Sequence, residues 1–168
     1  MHYKVIDNFL DSKLFDRIYT NVILSYNHNW RYSPALNINH VTEDNECYFE
    51  SLIFQEGRIY SENYKLFDAL WTMLNIKKLL RIKANCYPSK ETLVEHAPHV
   101  DFPYNHSGAI LYLNTCDGYT KLHDGAIVES VRNRILLFNA GLKHQSTNCT
   151  NSKARFNINF NFIGHDSL

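Results

Sequence analysis

Apolar positions along the chain change period near residue 78, and that change divides the sequence. Before it, Leu14, Phe15, Ile18 and Val22 recur on one helical face, with Asp11 or Ser12 placed to cap the first turn. Phe67, Leu70, Trp71 and Leu74 fall at i, i+3, i+4 and i+7 of a second helix, capped by Ser61. Val5 and Ile6 read as a short strand, and Cys47 to Phe54 as another. The polar run 33–46 between them reads as a loop, long enough to serve as a lid.

Beyond residue 78 the period is two. Leu80, Ile82, Ala84 and Cys86 alternate with Arg81, Lys83, Asn85 and Tyr87. Ala109, Leu111 and Leu113 alternate with Ile110, Tyr112 and Asn114. In the last run, Phe156, Ile158, Phe160 and Phe162 take one face, and Arg155, Asn157, Asn159 and Asn161 take the other. Turn residues separate these runs at Pro88-Ser89, Asp117-Gly118, Asp124-Gly125 and Ala140-Gly141. Short strands at this spacing predict a mainly β fold with N-terminal helices, a sandwich or jelly roll. If the helices cover the Phe face, the Arg/Asn face points into the barrel. If they do not, it meets solvent, and periodicity alone leaves both open.

The 168 residues suit one domain, 1–168, with 1–78 a helix-bearing support and 79–162 the β core. A hydrophobic share of 45% with 20% charged residues excludes wholesale disorder. No apolar run approaches the roughly 18 residues of a membrane span. The opening MHYKVIDNFLDS lacks the basic and apolar regions of a signal peptide, so a cytoplasmic protein is expected. Seventeen basic residues balance seventeen acidic ones, which gives no general attraction for nucleic acid or anionic membranes. The local cluster Lys77, Lys78, Arg81 and Lys83 reads as a solvated helix end and strand face. Cys47, Cys86, Cys116 and Cys149 contain no C-x-x-C pair and read as reduced, mostly buried thiols.

Candidate chemistry narrows to metal ligation. There is no G-x-S-x-G elbow and no Gly-rich phosphate loop. His99-Val100-Asp101 is an H-x-D triplet, whose first and third residues share a face on an extended chain. With nine histidines and nine aspartates, about half an accidental match is expected, so the triplet alone is weak. It gains weight from His144, 43 residues after Asp101, and from Arg155 at the head of the Phe/Asn strand. Two histidines and a carboxylate on a β scaffold match the facial triad of non-haem iron oxygenases. An arginine on an inward face grips a carboxylate bidentately. His96 and His106 lie near the triplet, and spacing does not exclude them as ligands.

The phrases KANCYP (83–88), HVDFP (99–103), AILYLN (109–114), CDGYT (116–120), NRILLFN (133–139), LKHQSTNC (142–149) and ARFNINFNF (154–162) carry a resemblance. In order and spacing, residues 79–162 resemble the core of 2-oxoglutarate/Fe(II)-dependent dioxygenases, in the prolyl-hydroxylase-like branch and its small phage and bacterial members. The resemblance implies a double-stranded β-helix. It implies Fe(II) on His99, Asp101 and His144, with 2-oxoglutarate and dioxygen as co-substrates. Arg155 resembles the arginine that binds the distal carboxylate of 2-oxoglutarate, Tyr112 the tyrosine that hydrogen-bonds the same carboxylate, and Tyr87 a tyrosine lining that pocket. Retention of Asp101 argues against the halogenating variant, where a halide takes the carboxylate's place. The implied activity is hydroxylation of a C–H bond. The favoured substrate is a peptidyl proline or another protein side chain, with no membrane partner.

Two other readings compete. A cupin-like jelly roll can hold a metal or ligand without turnover, and Arg155 is the feature such a module does not need. A structural viral jelly roll needs an exposed apolar patch for assembly. Trp30, Tyr32 and Tyr104 are candidates for an aromatic rim, and Asn157 and Asn159 for the pocket wall.

Overall fold

The structure is a computed structural model and describes residues 3–34 and 47–164. Its larger sheet has the strand order β1-β9-β6-β11-β5-β3-β2, with β4 on the outer flank of β3. The ranges are β1 Tyr3–Ile6, β2 Arg31–Ser33, β3 Tyr48–Gln55, β4 Arg58–Ile59, β5 Ile76–Pro88, β6 Ser107–Tyr112, β9 Ile135–Asn139 and β11 Ala154–Gly164. A smaller sheet, in the order β10-β7-β8, is built from β7 Tyr119–Leu122, β8 Ile127–Glu129 and β10 His144–Ser146. Bridges Glu95↔Thr147 and His99↔His144 lay the segment after β5 alongside β10. All strand pairings are antiparallel. This is a jelly roll.

The helices decide which way the strands face. In α1, Ser12–Tyr19, Asp11 is the cap, its Oδ1 accepting from Leu14 N at 3.1 Å. The chain then runs through a wide π turn at Thr20–Leu24. The second expected helix divides into a 3-10 segment, Glu62–Phe67, and α2, Asp68–Met73. A 3-10 turn eclipses residues i and i+3. That places Tyr64 and Phe67 on the sheet together, Tyr64 stacked on Phe54 at 5.3 Å and Phe67 edge-on to Phe160 at 5.5 Å. Phe15, Ile18, Val22, Phe67 and Leu70 pack with Ile82, Ala84, Ala109, Leu111, Ile158 and Phe160 in one buried core. Each Val, Leu, Ile or Phe side chain among them contributes about 1.5–3 kcal/mol by leaving water. The opposite face of the same strands meets the smaller sheet, where Ile110 and Tyr112 join Leu122, Val128, Leu136 and Phe138.

The polar face of β11 therefore turns into the barrel. Arg155, Asn157, Asn159 and Asn161 are all buried. The N-terminal third is more than a helical support, because it supplies β1 to β4 of the larger sheet. Asn133 fastens it: its side chain accepts from Leu10 N at 3.0 Å and donates to Leu10 O at 2.8 Å. Ser33 ends a strand rather than opening a loop. Residues 35–46, and the lid expected of them, lie outside the described residues. No helix among the described residues is long and apolar enough to cross a membrane.

Two expected surface features sit elsewhere. Trp30 packs edge-on to His28 at 5.0 Å and against Phe156 at 6.3 Å, on the helix side, because Phe156 faces that way. Tyr32 pairs across β2 and β3 with Phe49, itself opposite Cys86 on the outward face of β5. Of the three rim candidates, Tyr104 alone stands near the triplet, stacked on Phe102 at 5.6 Å.

Candidate functional site

The 89–106 segment carries the H-x-D triplet across the barrel mouth. His99 N donates to His144 O and His144 N to His99 O, both at 2.9 Å. This reciprocal pair sets the two imidazoles side by side, ring centres 4.6 Å apart. Two residues on, Asp101 N donates to Ala140 O at 3.2 Å, which brings its carboxylate to the same side. Gly141 permits the close pass of the two segments, since a Cβ there would meet Tyr104 O at 2.5 Å. The ligand atoms of His99, Asp101 and His144 end within 4.8 Å of one another.

Their chemistry is set from behind. His144 Nδ1–H donates to Leu142 O at 3.0 Å, which turns Nε2 toward Asp101 Oδ2, 3.7 Å away. Burial, with His144 beside it, takes His99 down to about 4, so the ring is neutral and able to ligate. Burial opposes the charge on Asp101, but Arg81, the two histidines and Asn159 hold the carboxyl well below the usual carboxylate range. Arg81 Nη2 donates to Asp101 Oδ1 at 2.5 Å, while Asn159 and Asn161 donate to Oδ2 at 3.0 and 2.8 Å. Arg81 Nε also donates to Asn161 Oδ1 at 3.0 Å. Two imidazole nitrogens and a carboxylate oxygen this close together could hold a metal ion between them.

Arg155 is the largest fully buried side chain among the described residues, at 0% exposure. Its Nη2 donates to Thr120 Oγ1 at 3.0 Å and its Nη1 to Thr147 O at 3.2 Å. Nε has no partner. Tyr87 and Tyr112 face the guanidinium, each with its ring centre at 5.5 Å. No acid pairs with it among the described residues. An isolated buried cation is costly unless paired, and cation–π contacts return only about 0.5–2 kcal/mol each. Tyr112 donates to Thr120 Oγ1 at 2.8 Å, so the threonine oxygen already accepts twice and keeps its own O–H to give. A carboxylate-bearing ligand suits this arrangement.

A small cavity of about 30 Å³, partly open to solvent, is lined by His99 and His144. Tyr87 and Thr120, both in contact with Arg155, also line it, as do Asn85, Asn157 and Asn159. The inward asparagines thus form its wall.

His96 and His106 stand outside the triad. His96 Nδ1 lies 2.9 Å from Ser146 Oγ, and burial, with Arg155 near, takes the ring down to about 3. His106 donates from Nδ1 to Tyr104 O at 2.8 Å and accepts at Nε2 from Asn161 at 3.2 Å, buttressing the amide that holds Asp101. Arg81 and Lys83 are not solvated charges. Arg81 pairs with Asp101, and Lys83 Nζ pairs with Glu50 Oε2 at 3.2 Å. Their alternation with Ile82 and Ala84 put them on the face of Tyr87, a signal in the sequence that pointed inward. Lys77 and Lys78 are exposed as expected. All four cysteines are free, with Cys116 and Cys149 buried and Cys47 and Cys86 half-buried.

No protein-family model matches the sequence, and no curated protein matches it. Solved structures do. An oxidoreductase of the 2OG-Fe(II) oxygenase family from Burkholderia pseudomallei aligns over 98% of this chain and 86% of its own, with TM-score 0.72 and 12% identity. A Pseudomonas putida prolyl-4-hydroxylase aligns over 96% and 92%, with TM-score 0.64 and 17% identity. A Trichoplax adhaerens prolyl hydroxylase, in complex with a hypoxia inducible factor oxygen degradation domain peptide fragment, aligns over 96% and 83%, with TM-score 0.63 and 18% identity. The chain has the jelly-roll fold of these oxygenases.

Proposed function

We propose that a chain with this fold and this cavity is an Fe(II)- and 2-oxoglutarate-dependent dioxygenase that hydroxylates a C–H bond, with a peptide or protein side chain, proline first, as substrate. The observation that carries the reading is the shared cavity: it opens on two of the three metal-competent donors and on two residues that hold a buried arginine lacking an acid. A metal-binding module needs the first feature and not the second. The donor set, two imidazole nitrogens and an ionised carboxylate, suits Fe(II). The buried guanidinium, with Nε unpartnered and no acid beside it among the described residues, suits the distal carboxylate of 2-oxoglutarate. Together these groups, when bound, supply the oxidation of a C–H bond by dioxygen, with succinate and carbon dioxide as by-products.

The chain's own contribution is placement. His99, Asp101 and His144 hold the metal, and Arg81, Asn159 and Asn161 fix the carboxylate. Arg155 and the Thr120 hydroxyl grip the co-substrate, with Tyr112 orienting Thr120 and Tyr87 forming a wall. Burial keeps water from competing for the guanidinium. The peptide reading is supported by the two prolyl hydroxylases that share the fold, and by a net charge of zero, which gives nucleic acid no general attraction.

The test is a panel of proline-containing peptides, free amino acids and nucleosides, incubated anaerobically with Fe(II) and 2-oxoglutarate and then exposed to oxygen. A gain of one oxygen on a peptide, dependent on 2-oxoglutarate, supports the assignment. Oxidation of a nucleoside and of no peptide reverses the substrate class.

A further inference from the structure

A second group of metal-competent side chains lies outside the cavity. Cys116 and Asp117 sit on the connection from β6 to β7, and Cys149 on the connection from β10 to β11. Their sulfur and carboxylate atoms lie within 4.8 Å of one another. We propose that Cys116, Asp117 and Cys149 bind a zinc-type divalent cation, which staples these two connections together beside Arg155. The site does not depend on what Arg155 binds.

Donor chemistry comes first. Two thiolates and a carboxylate, with a water as fourth ligand, make a tetrahedral set suited to zinc and ill suited to magnesium or calcium. Two sulfurs on one tetrahedral zinc stand about 3.8 Å apart, from a Zn–S bond of about 2.3 Å. Ligand atoms within 4.8 Å therefore close on the ion with a shift of about an ångström or less.

The surroundings hold these donors in place. Cys116 N donates to Ser130 O at 3.1 Å, and Asp117 N to Asn151 Oδ1 at 3.0 Å. Thr150 N donates to Asp117 Oδ1 at 2.9 Å, and the Thr150 hydroxyl donates to Oδ2. Each carboxylate oxygen keeps a further lone pair, and hydrogen bonds of this kind orient a ligand for its metal. The same bonds hold Asp117 below the usual carboxylate range, so it is ionised. Cys116 and Cys149 are 8% and 0% exposed, while the half-exposed Asp117 offers the way in.

Cys149 Sγ donates to Ser152 O at 3.4 Å, and metal capture exchanges that thiol proton for the ion. The consequence reaches Arg155. Gly118 follows Asp117, and a Cβ there would meet Asn148 O at 2.3 Å and Arg155 Cδ at 2.6 Å. Thr147 O, two residues before Cys149, takes Arg155 Nη1. A metal at the thiols fixes both walls of the arginine's slot.

Cobalt(II) titration of the reduced full chain, under anaerobic conditions, separates this site from the histidine triad. Thiolate-to-cobalt charge-transfer absorption in the near ultraviolet needs a sulfur ligand, and the triad has none. The band is expected to saturate within two equivalents in wild type, where the triad also takes cobalt, and at one equivalent in His144→Ala, with zinc displacing it. Asp117→Asn should keep the band and need about 10–100-fold more cobalt. The band should vanish in Cys116→Ser with Cys149→Ser, and in Cys116→Ser alone if the double variant does not fold. Absence of the band in wild type with all four thiols titrating as free overturns the site. So does a band that survives both serine substitutions, or spontaneous pairing of Cys116 with Cys149 in the metal-free protein.

Discussion

Replacing Arg155 by alanine should separate co-substrate binding from metal binding. The guanidinium offers a ligand carboxylate two charge-assisted hydrogen bonds, each contributing about 1.5–3 kcal/mol. The lower end is appropriate, because the Thr120 hydroxyl remains as a donor when Arg155 is gone. A loss of about 3 kcal/mol, at about 1.4 kcal/mol per tenfold, weakens 2-oxoglutarate binding about 100-fold. In wild type, 2-oxoglutarate at about 100 times its Kd adds about 2.7 kcal/mol to the stability of the folded chain. At the same concentration the variant sits near its own Kd and gains only about 0.4 kcal/mol. For a chain of this length each kcal/mol is worth about 2–4 °C in Tm. Wild type loaded with Mn(II) should therefore rise by about 5–11 °C on adding 2-oxoglutarate, and Arg155→Ala by about 1 °C. Metal affinity should be unchanged, since Arg155 touches none of the three ligands. Arg155→Lys should recover part of the shift, because an ammonium lacks the planar fork. A full 2-oxoglutarate shift in Arg155→Ala would refute the role given to the arginine.

Three further outcomes follow from other contacts. Arg81→Met removes the cation beside Asp101 and should lower metal-free stability by about 3 kcal/mol; Mn(II) should restore part of that loss, and a variant as stable as wild type without metal would contradict the pairing. Gly118→Ala forces a Cβ against Asn148 O and Arg155 Cδ and should cost about 1–3 kcal/mol in denaturant unfolding, with 2-oxoglutarate binding weakened and metal binding kept. His96, taken down to about 3 by burial, binds its proton more weakly folded than unfolded, so stability falls as pH drops below about 6.5. Its share at pH 5 is about 2 kcal/mol in the metal-free chain, and His96→Gln should flatten the pH dependence of unfolding by that amount.

The strands of the core were legible because their period is two over long runs, and Phe160 and Asn159 could be sorted onto opposite faces at once. Which face is inside was not legible. That follows from Phe67 and Leu70 covering the Phe face, a contact between segments about 90 residues apart. The H-x-D triplet could be read because its geometry is local, whereas His144 reaches it through a backbone bridge across 45 residues, and was linked to it only by residue type and by the resemblance to a known family. The residues around the ligands were missed for the same reason. Arg81, Asn161 and Thr120 act through contacts between strands far apart in the chain, and a cluster of four basic residues resembles an exposed patch until its alternation with Ile82 and Ala84 is weighed. Trp30 and Tyr32 were placed by residue type alone, which carries no information about which face a side chain takes.

The most direct test of the central assignment is succinate formed from 2-oxoglutarate, measured by mass spectrometry when oxygen is admitted to the iron-loaded chain. Wild type is expected to form succinate only with Fe(II) and oxygen both present, faster with a hydroxylatable peptide, and His144→Ala is expected to form none. Iron-loaded wild type that binds 2-oxoglutarate and forms no succinate with any substrate offered would contradict the assignment and leave a binding module in its place.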